Sequence, residues 1–147
     1  MRLSVEKAAS LRSAYPKAFI IGSDQVASVG SELLGKPGSR ERAIEQLTRM
    51  SGQDVHFYTG LAVLHADSGE CQQHLNTTRV AMRMLSADEI ERYVDKDQPL
   101  DCAGSFKLEQ LGVSLFNSVE SDDPSALVGL PLIAVARCLR NLGMNVP

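Results

Sequence analysis

Three segments of this chain carry residue types and spacings that can do chemistry. In Ile20-Ile21-Gly22-Ser23-Asp24-Gln25 a carboxylate follows closely on an apolar run. The run reads as a buried strand that stops at the polar cluster, where the chain would leave the sheet. Asp24 would then be held rigidly yet stay open to solvent, in the kind of crevice where open α/β sheets bind ligands. A carboxylate so placed could ligate Mg²⁺ or take a proton from water. An Asp in such a turn also serves simply to bond its own backbone.

Gly35-Lys36-Pro37-Gly38 is the second segment. Glycine permits close backbone approach and proline stiffens the loop, so the Lys36 ammonium would neutralise charge on phosphate oxygens from a defined position. The spacing is not that of a P-loop, and an isolated loop lysine is otherwise a solvated surface charge. Lys7 has the same two readings on a helix surface. The third segment is Ala103-Gly104-Ser105-Phe106 with Glu109 beyond it. Small residues there let a base or sugar come near the backbone, and Glu109 offers an acceptor. A tight turn followed by a solvated Glu fits the same letters.

His56, His65 and His74 share no ligand spacing and read as ordinary strand or loop residues. Cys71, Cys102 and Cys138 are odd in number, far apart and without a C-x-x-C pair. That pattern argues against a disulfide framework and a zinc site, and for reduced, inert thiols.

The elements that must position these groups follow from periodicity. Met1–Ala14 reads as a helix on Leu3, Val5, Ala8, Ala9 and Leu11, without a clear N-cap. Ala18–Gly22 reads as a strand. Ser39 is a good N-cap for a helix with Ala43, Ile44, Leu47 and Met50 apolar. Val55–His65 and Gln73–Met84, joined through Asp67-Ser68-Gly69, form an expected antiparallel hairpin. Ser86 and Glu89 have the capping-box spacing before a helix with Ile90, Tyr93 and Val94 on one face. Gly112–Phe116 reads as a further strand and Pro131–Leu142 as a last helix, with Gly143 at its end. Single strand–helix steps beside a hairpin point to a mixed α/β sheet in one domain, residues 1–147.

At 147 residues, 44% hydrophobic and 22% charged, the chain can bury a core, which excludes disordered and collagen-like classes. A net charge of -3 gives no general case for binding a nucleic-acid polymer. No apolar run reaches membrane-spanning length. The first residues, Met1-Arg2-Leu3-Ser4-Val5-Glu6-Lys7, lack the apolar core of a signal peptide, so a cytoplasmic location is expected.

Taken in order, several short motifs make this chain resemble the Maf family of nucleoside triphosphate pyrophosphatases. They are Glu6-Lys7-Ala8, Gly22-Ser23-Asp24-Gln25, Gly35-Lys36-Pro37, Phe57-Tyr58-Thr59-Gly60, Leu85-Ser86 with Tyr93-Val94, Ala103-Gly104-Ser105-Phe106, and Val128-Gly129-Leu130-Pro131. The resemblance implies an inosine-triphosphatase-like α/β fold, an elongated mixed sheet flanked by helices, and a homodimer. It implies hydrolysis of a nucleoside triphosphate between its α and β phosphates with a divalent cation, Mg²⁺ or Mn²⁺. Asp24 then matches the proton acceptor and metal-side carboxylate, Lys7 and Lys36 the phosphate-holding lysines, and Gln25 and Glu109 the residues that set base specificity. The Ala103–Glu109 loop is similar to the branch acting on 7-methyl-GTP. A carboxylate suits a guanine whose N7-methylated ring is cationic and whose edge offers N–H donors.

The start departs from the family pattern. Family members begin with a strand and a Ser-x-Ser-Pro-x-Arg-Arg loop that grips the phosphates, with a metal-binding Glu soon after, and none of these occurs here. The expectation is a domain truncated at its N-terminus, with Met1 an internal methionine of a longer protein. A non-catalytic nucleotide-binding or cell-division regulatory protein, or an inactive fragment, is the alternative reading.

Overall fold

The apolar patterns become four helices and five strands in the computed structural model, which describes residues 1–147. In chain order these are α1 (Arg2–Ala9), β1 (Phe19–Val29), β2 (Glu32–Leu34), α2 (Arg40–Met50), β3 (Asp54–His65), β4 (Cys71–Met82), α3 (Ala87–Asp97), β5 (Phe116–Ser121) and α4 (Leu132–Asn141). Two 3₁₀ turns, Leu111–Leu115 and Pro124–Val128, precede β5 and α4. The sheet order is β2-β1-β3-β4-β5. β1 and β2 are antiparallel with Ala27 opposite Leu34 and Val29 opposite Glu32. The turn between them opens at Gly30, whose φ of 56° lies in the left-handed region that glycine enters freely. β5 runs antiparallel to β4, with a bulge at Ala81/Met82.

The chain divides into two compact units. One comprises Met1–Gln25, Tyr58–Thr77 and Asp122–Pro147; the other comprises Val26–Phe57 and Thr78–Ser121. In the first unit β3 is apolar on both faces. Ala62 and Leu64 pack with Ala8 and Ile20, while Leu61 and Val63 pack with Ala134, Val135 and Cys138. Successive strand residues point to opposite faces, so α1 and α4 cover the two sides of one strand. The second unit buries Leu47 and Met50 of α2 and Ile90 and Val94 of α3. Phe106 sits edge-on to both Phe57 and Phe116, at centroid distances of 5.2 and 4.7 Å.

Local signals were good guides for α2, α3, α4 and the β3–β4 hairpin. Ser39 Oγ accepts from the Arg42 N–H, and Ser86 with Glu89 completes the capping box. Three expectations need correction. α1 is helical only to Ala9, followed by turns through Ala14. β1 does not stop at Gly22 but continues through Ser23, Asp24 and Gln25 to Val29. Gly112–Leu115 curls into a 3₁₀ turn and the strand begins only at Phe116, because Gln110 and Gly112 N–H groups both turn back to Lys107 O.

Candidate active site

Asp24 therefore sits within a strand, not past its end, and its surroundings follow from strand alternation. Gly22 and Asp24 face α1. A Cβ on Gly22 would lie 2.1 Å from Ser4 O and 2.8 Å from Ala8 N, so only glycine lets this helix lie directly on β1. That close approach brings Lys7, which directly precedes Ala8, over Asp24. Lys7 Nζ donates to Asp24 Oδ1 at 2.7 Å and to Ser23 O at 3.0 Å. The ammonium side chain is 55% exposed and the carboxylate 23%, so the pair faces solvent with Asp24 the more enclosed partner.

Ser23 and Gln25 face the other way. Ser23 Oγ lies within hydrogen-bond reach of Gly60 O at 3.0 Å and Gly129 O at 2.7 Å. Gln25 Nε2 donates to Thr59 Oγ1 at 2.9 Å and Ala126 O at 2.8 Å, and Thr59 Oγ1 donates to the same carbonyl at 3.1 Å. These bonds satisfy polar side chains inside a strand, which is why the polar cluster did not end β1. They also engage the Gln25 amide, the group expected to help set base specificity, whose Nε2 is already bonded to protein.

Lys36 and Glu109 belong to the second unit. The Lys36 loop lies against the segment leading to Glu109, with Gly38 N–H donating to Leu100 O at 2.9 Å. Asp101 is held below the usual carboxylate range by its own backbone N–H and the Cys102 thiol, with the Lys107 and Lys36 charges adding to the effect. Glu109 is exposed on a turn whose two ends are tied to α3. Lys107 N–H donates to Tyr93 Oη and Leu111 N–H to Asp97 Oδ2, both at 2.9 Å. Burial pushes the Tyr93 phenol well above its ordinary value, suiting it to a neutral structural bond. Thr59, Tyr93 and Asp97, which hold the candidate residues or the turn that carries them, are not singled out by the sequence for this part. Tyr93 read as helix core, and only the fold reveals what its hydroxyl holds.

The arrangement joins Lys7 to Asp24 directly and sets the Lys36 loop beside the Asp101–Glu109 segment. An ammonium with a carboxylate can meet a phosphate oxygen, and the carboxylate can accept a proton from water or hold a cation. No group of three or more His, Cys, Asp or Glu gathers to cage a metal. Lys7 occupies Asp24 Oδ1, so Oδ2 is the oxygen offered. One hard oxygen donor fits Mg²⁺, which is commonly held by one or two carboxylates plus substrate phosphates and water. The histidines all lie in β3 or β4. Burial raises the Cys71 and Cys138 thiols and, with Asp101, takes Cys102 to about 11, so none is an activated nucleophile.

Comparison with known proteins adds an independent observation. The family described as Maf-like protein matches residues 1–142. A 7-methyl-GTP pyrophosphatase of Xanthomonas axonopodis pv. citri is 54% identical over 147 residues, covering 99% of this chain and 76% of that protein. The 7-methyl-GTP pyrophosphatase of Aromatoleum aromaticum is 53% identical over 146 residues, 99% of this chain and 75% of its own. That of Pseudomonas putida is 51% identical over 146 residues, with coverage of 99% and 76%. The chain thus spans about three quarters of the length of these relatives.

Proposed function

This chain belongs to the Maf family, and from that premise we propose that it is a nucleoside triphosphate pyrophosphatase preferring 7-methyl-GTP. Water, losing a proton, forms a bond to the α phosphorus, the bond from that phosphorus to the α–β bridging oxygen breaks, and pyrophosphate leaves with that oxygen while the new hydroxyl stays on the monophosphate. The observation that carries this reading is the Lys7–Asp24 pair, 2.7 Å apart on a glycine-seated helix and strand. Asp24 takes the proton of the attacking water. Lys7 and Lys36 hold phosphate oxygens, and Glu109 accepts the guanine N–H donors and balances the charge of the methylated ring. Gln25, whose Nε2 is held by Thr59 Oγ1 and Ala126 O, is the second residue that the family resemblance assigns to base specificity. A divalent cation, Mg²⁺ or Mn²⁺, held on Asp24 would when bound neutralise phosphate charge. Half identity with three proteins named for 7-methyl-GTP supports the substrate.

The test is pyrophosphate release by the 147-residue chain with Mg²⁺ on 7-methyl-GTP, GTP, dTTP and UTP, beside Asp24→Ala and Glu109→Gln. Asp24→Ala should lose at least about a hundredfold in kcat, the usual scale for removing a general base. Glu109→Gln should narrow the preference for 7-methyl-GTP over GTP, and a chelator should stop turnover. A strong preference for dTTP would overturn the substrate. Saturable nucleotide binding with no turnover would favour the regulatory alternative.

A further inference from the structure

Gln46 lies half-buried on α2, beside Leu47, whose side chain is in the core. Both ends of its amide bond to loops of the second unit. Nε2 donates to Gly35 O at 3.2 Å, and Oε1 accepts from Ser105 Oγ at 2.5 Å. Gly35 immediately precedes Lys36. Ser105 stands in the small-residue loop four positions before Glu109.

Ser105 is the unusual member. Its φ of 57° is left-handed, a region that non-glycine residues enter at a cost, and its side chain is fully buried. Such a conformation persists only where its surroundings over-determine it, and these residues concentrate at ligand clamps. The neighbours supply that constraint. A Cβ on Gly104 would lie 3.0 Å from the Phe57 ring, which itself packs against Phe106. The hydroxyl is held by Gln46. An amide is the side chain that donates and accepts at fixed spacing, so one residue ties both loops.

We propose that Gln46 is a positioning residue: it fixes the Lys36 loop and the Ser105–Glu109 loop at one separation, so that a nucleotide's phosphate and base contacts are set together. This rests on the roles given above to Lys36 and Glu109. Gln46→Leu removes both bonds. Gln46→Glu keeps the acceptor for Ser105 but loses the donor to Gly35 O. Ser105→Gly removes the hydroxyl while relieving the φ strain, so loop placement and stability separate in that variant.

Steady-state kinetics on 7-methyl-GTP, with thermal melts, test this for wild type, Gln46→Leu, Gln46→Glu, Ser105→Gly and the Gln46→Leu/Ser105→Gly double variant. The expected result is KM raised about tenfold in Gln46→Leu and in Ser105→Gly, a loss near the size of one hydrogen-bonded contact. Gln46→Glu should fall between Gln46→Leu and wild type. Ser105→Gly should melt no lower than wild type, and the double variant should lose no more than the worse single, since both break one shared bond. An unmoved KM in Gln46→Leu, or losses that multiply in the double variant, would overturn the proposal while leaving the pyrophosphatase reading intact. A wild-type chain inert on every nucleotide would overturn that reading and this inference together.

Discussion

At the scale of single residues, Gly22 governs how near α1 comes to β1. The atoms that an added methyl would meet, Ser4 O and Ala8 N, are both backbone. Neither can yield without moving the helix. Gly22→Ala should therefore destabilise by about 2 kcal/mol, typical of overpacking, and draw Lys7 off Asp24. Urea unfolding together with turnover measures both, and a wild-type midpoint with full activity would refute the close-packing argument. Asp24 shows a second residue-scale effect. Its neighbours in sequence, Ser23 and Gln25, are engaged with Gly60, Gly129, Thr59 and Ala126 on the opposite face. The strand backbone is thereby anchored on one side while the carboxylate stays accessible on the other, which suits the role proposed for Asp24 on a rigid element.

At the scale of elements, α3 does two jobs. Its inner face supplies Ile90 and Val94 to the core, and Tyr93 and Asp97 to the ends of the turn that carries Glu109. Its start is secured by the capping box, with Ser86 N–H donating to Glu89 Oε2 at 2.9 Å and Arg83 Nη2 donating to Oε1 at 3.1 Å. Ser86→Ala should cost about 1 kcal/mol. The Ser86 backbone bond, then Arg83, holds the Glu89 carboxyl below its ordinary range. A carboxyl with a depressed folded value contributes stability above its unfolded pKa, about 4.3, and loses it as pH falls through the folded value. Wild type should thus melt above Glu89→Gln at pH 7, and the gap should close on acidification below about 4. A gap that widened on acidification would contradict the cap.

At the scale of the whole molecule, each unit carries its own core, and β1, β3 and β4 contribute residues to both. No helix is long and apolar enough to cross a membrane. Near the start of α4, Val128, Leu132 and Ile133 are large apolar side chains that are each more than half exposed. We propose the homodimer that the family resemblance implies. Sedimentation velocity should give a mass about twice 15.9 kDa, and a concentration-independent monomer would end the proposal. A cytoplasmic location is a separate proposal that rests on the sequence alone, and fractionation of cells producing the chain tests it.

Much of this was legible in local sequence. Period-3.6 apolar spacing and good caps specify α2, α3 and α4, and β-formers around a Gly turn specify the hairpin, because those signals act over a few residues. The order of the short motifs determined the family. Tertiary structure decided the rest, through partners distant in sequence. β1 continues through Ser23 because that hydroxyl meets carbonyls 37 and 106 residues away. Lys7 finds Asp24 across 17 positions only after Gly22 seats the helix. Gln46 acquires its role from Ser105, 59 residues on, whose left-handed backbone no propensity foretold. Sequence alone determined which side chains could do chemistry and which local elements would form. Which of those side chains touch depended on burial, since polar groups inside a fold must find partners wherever the packed chain offers them.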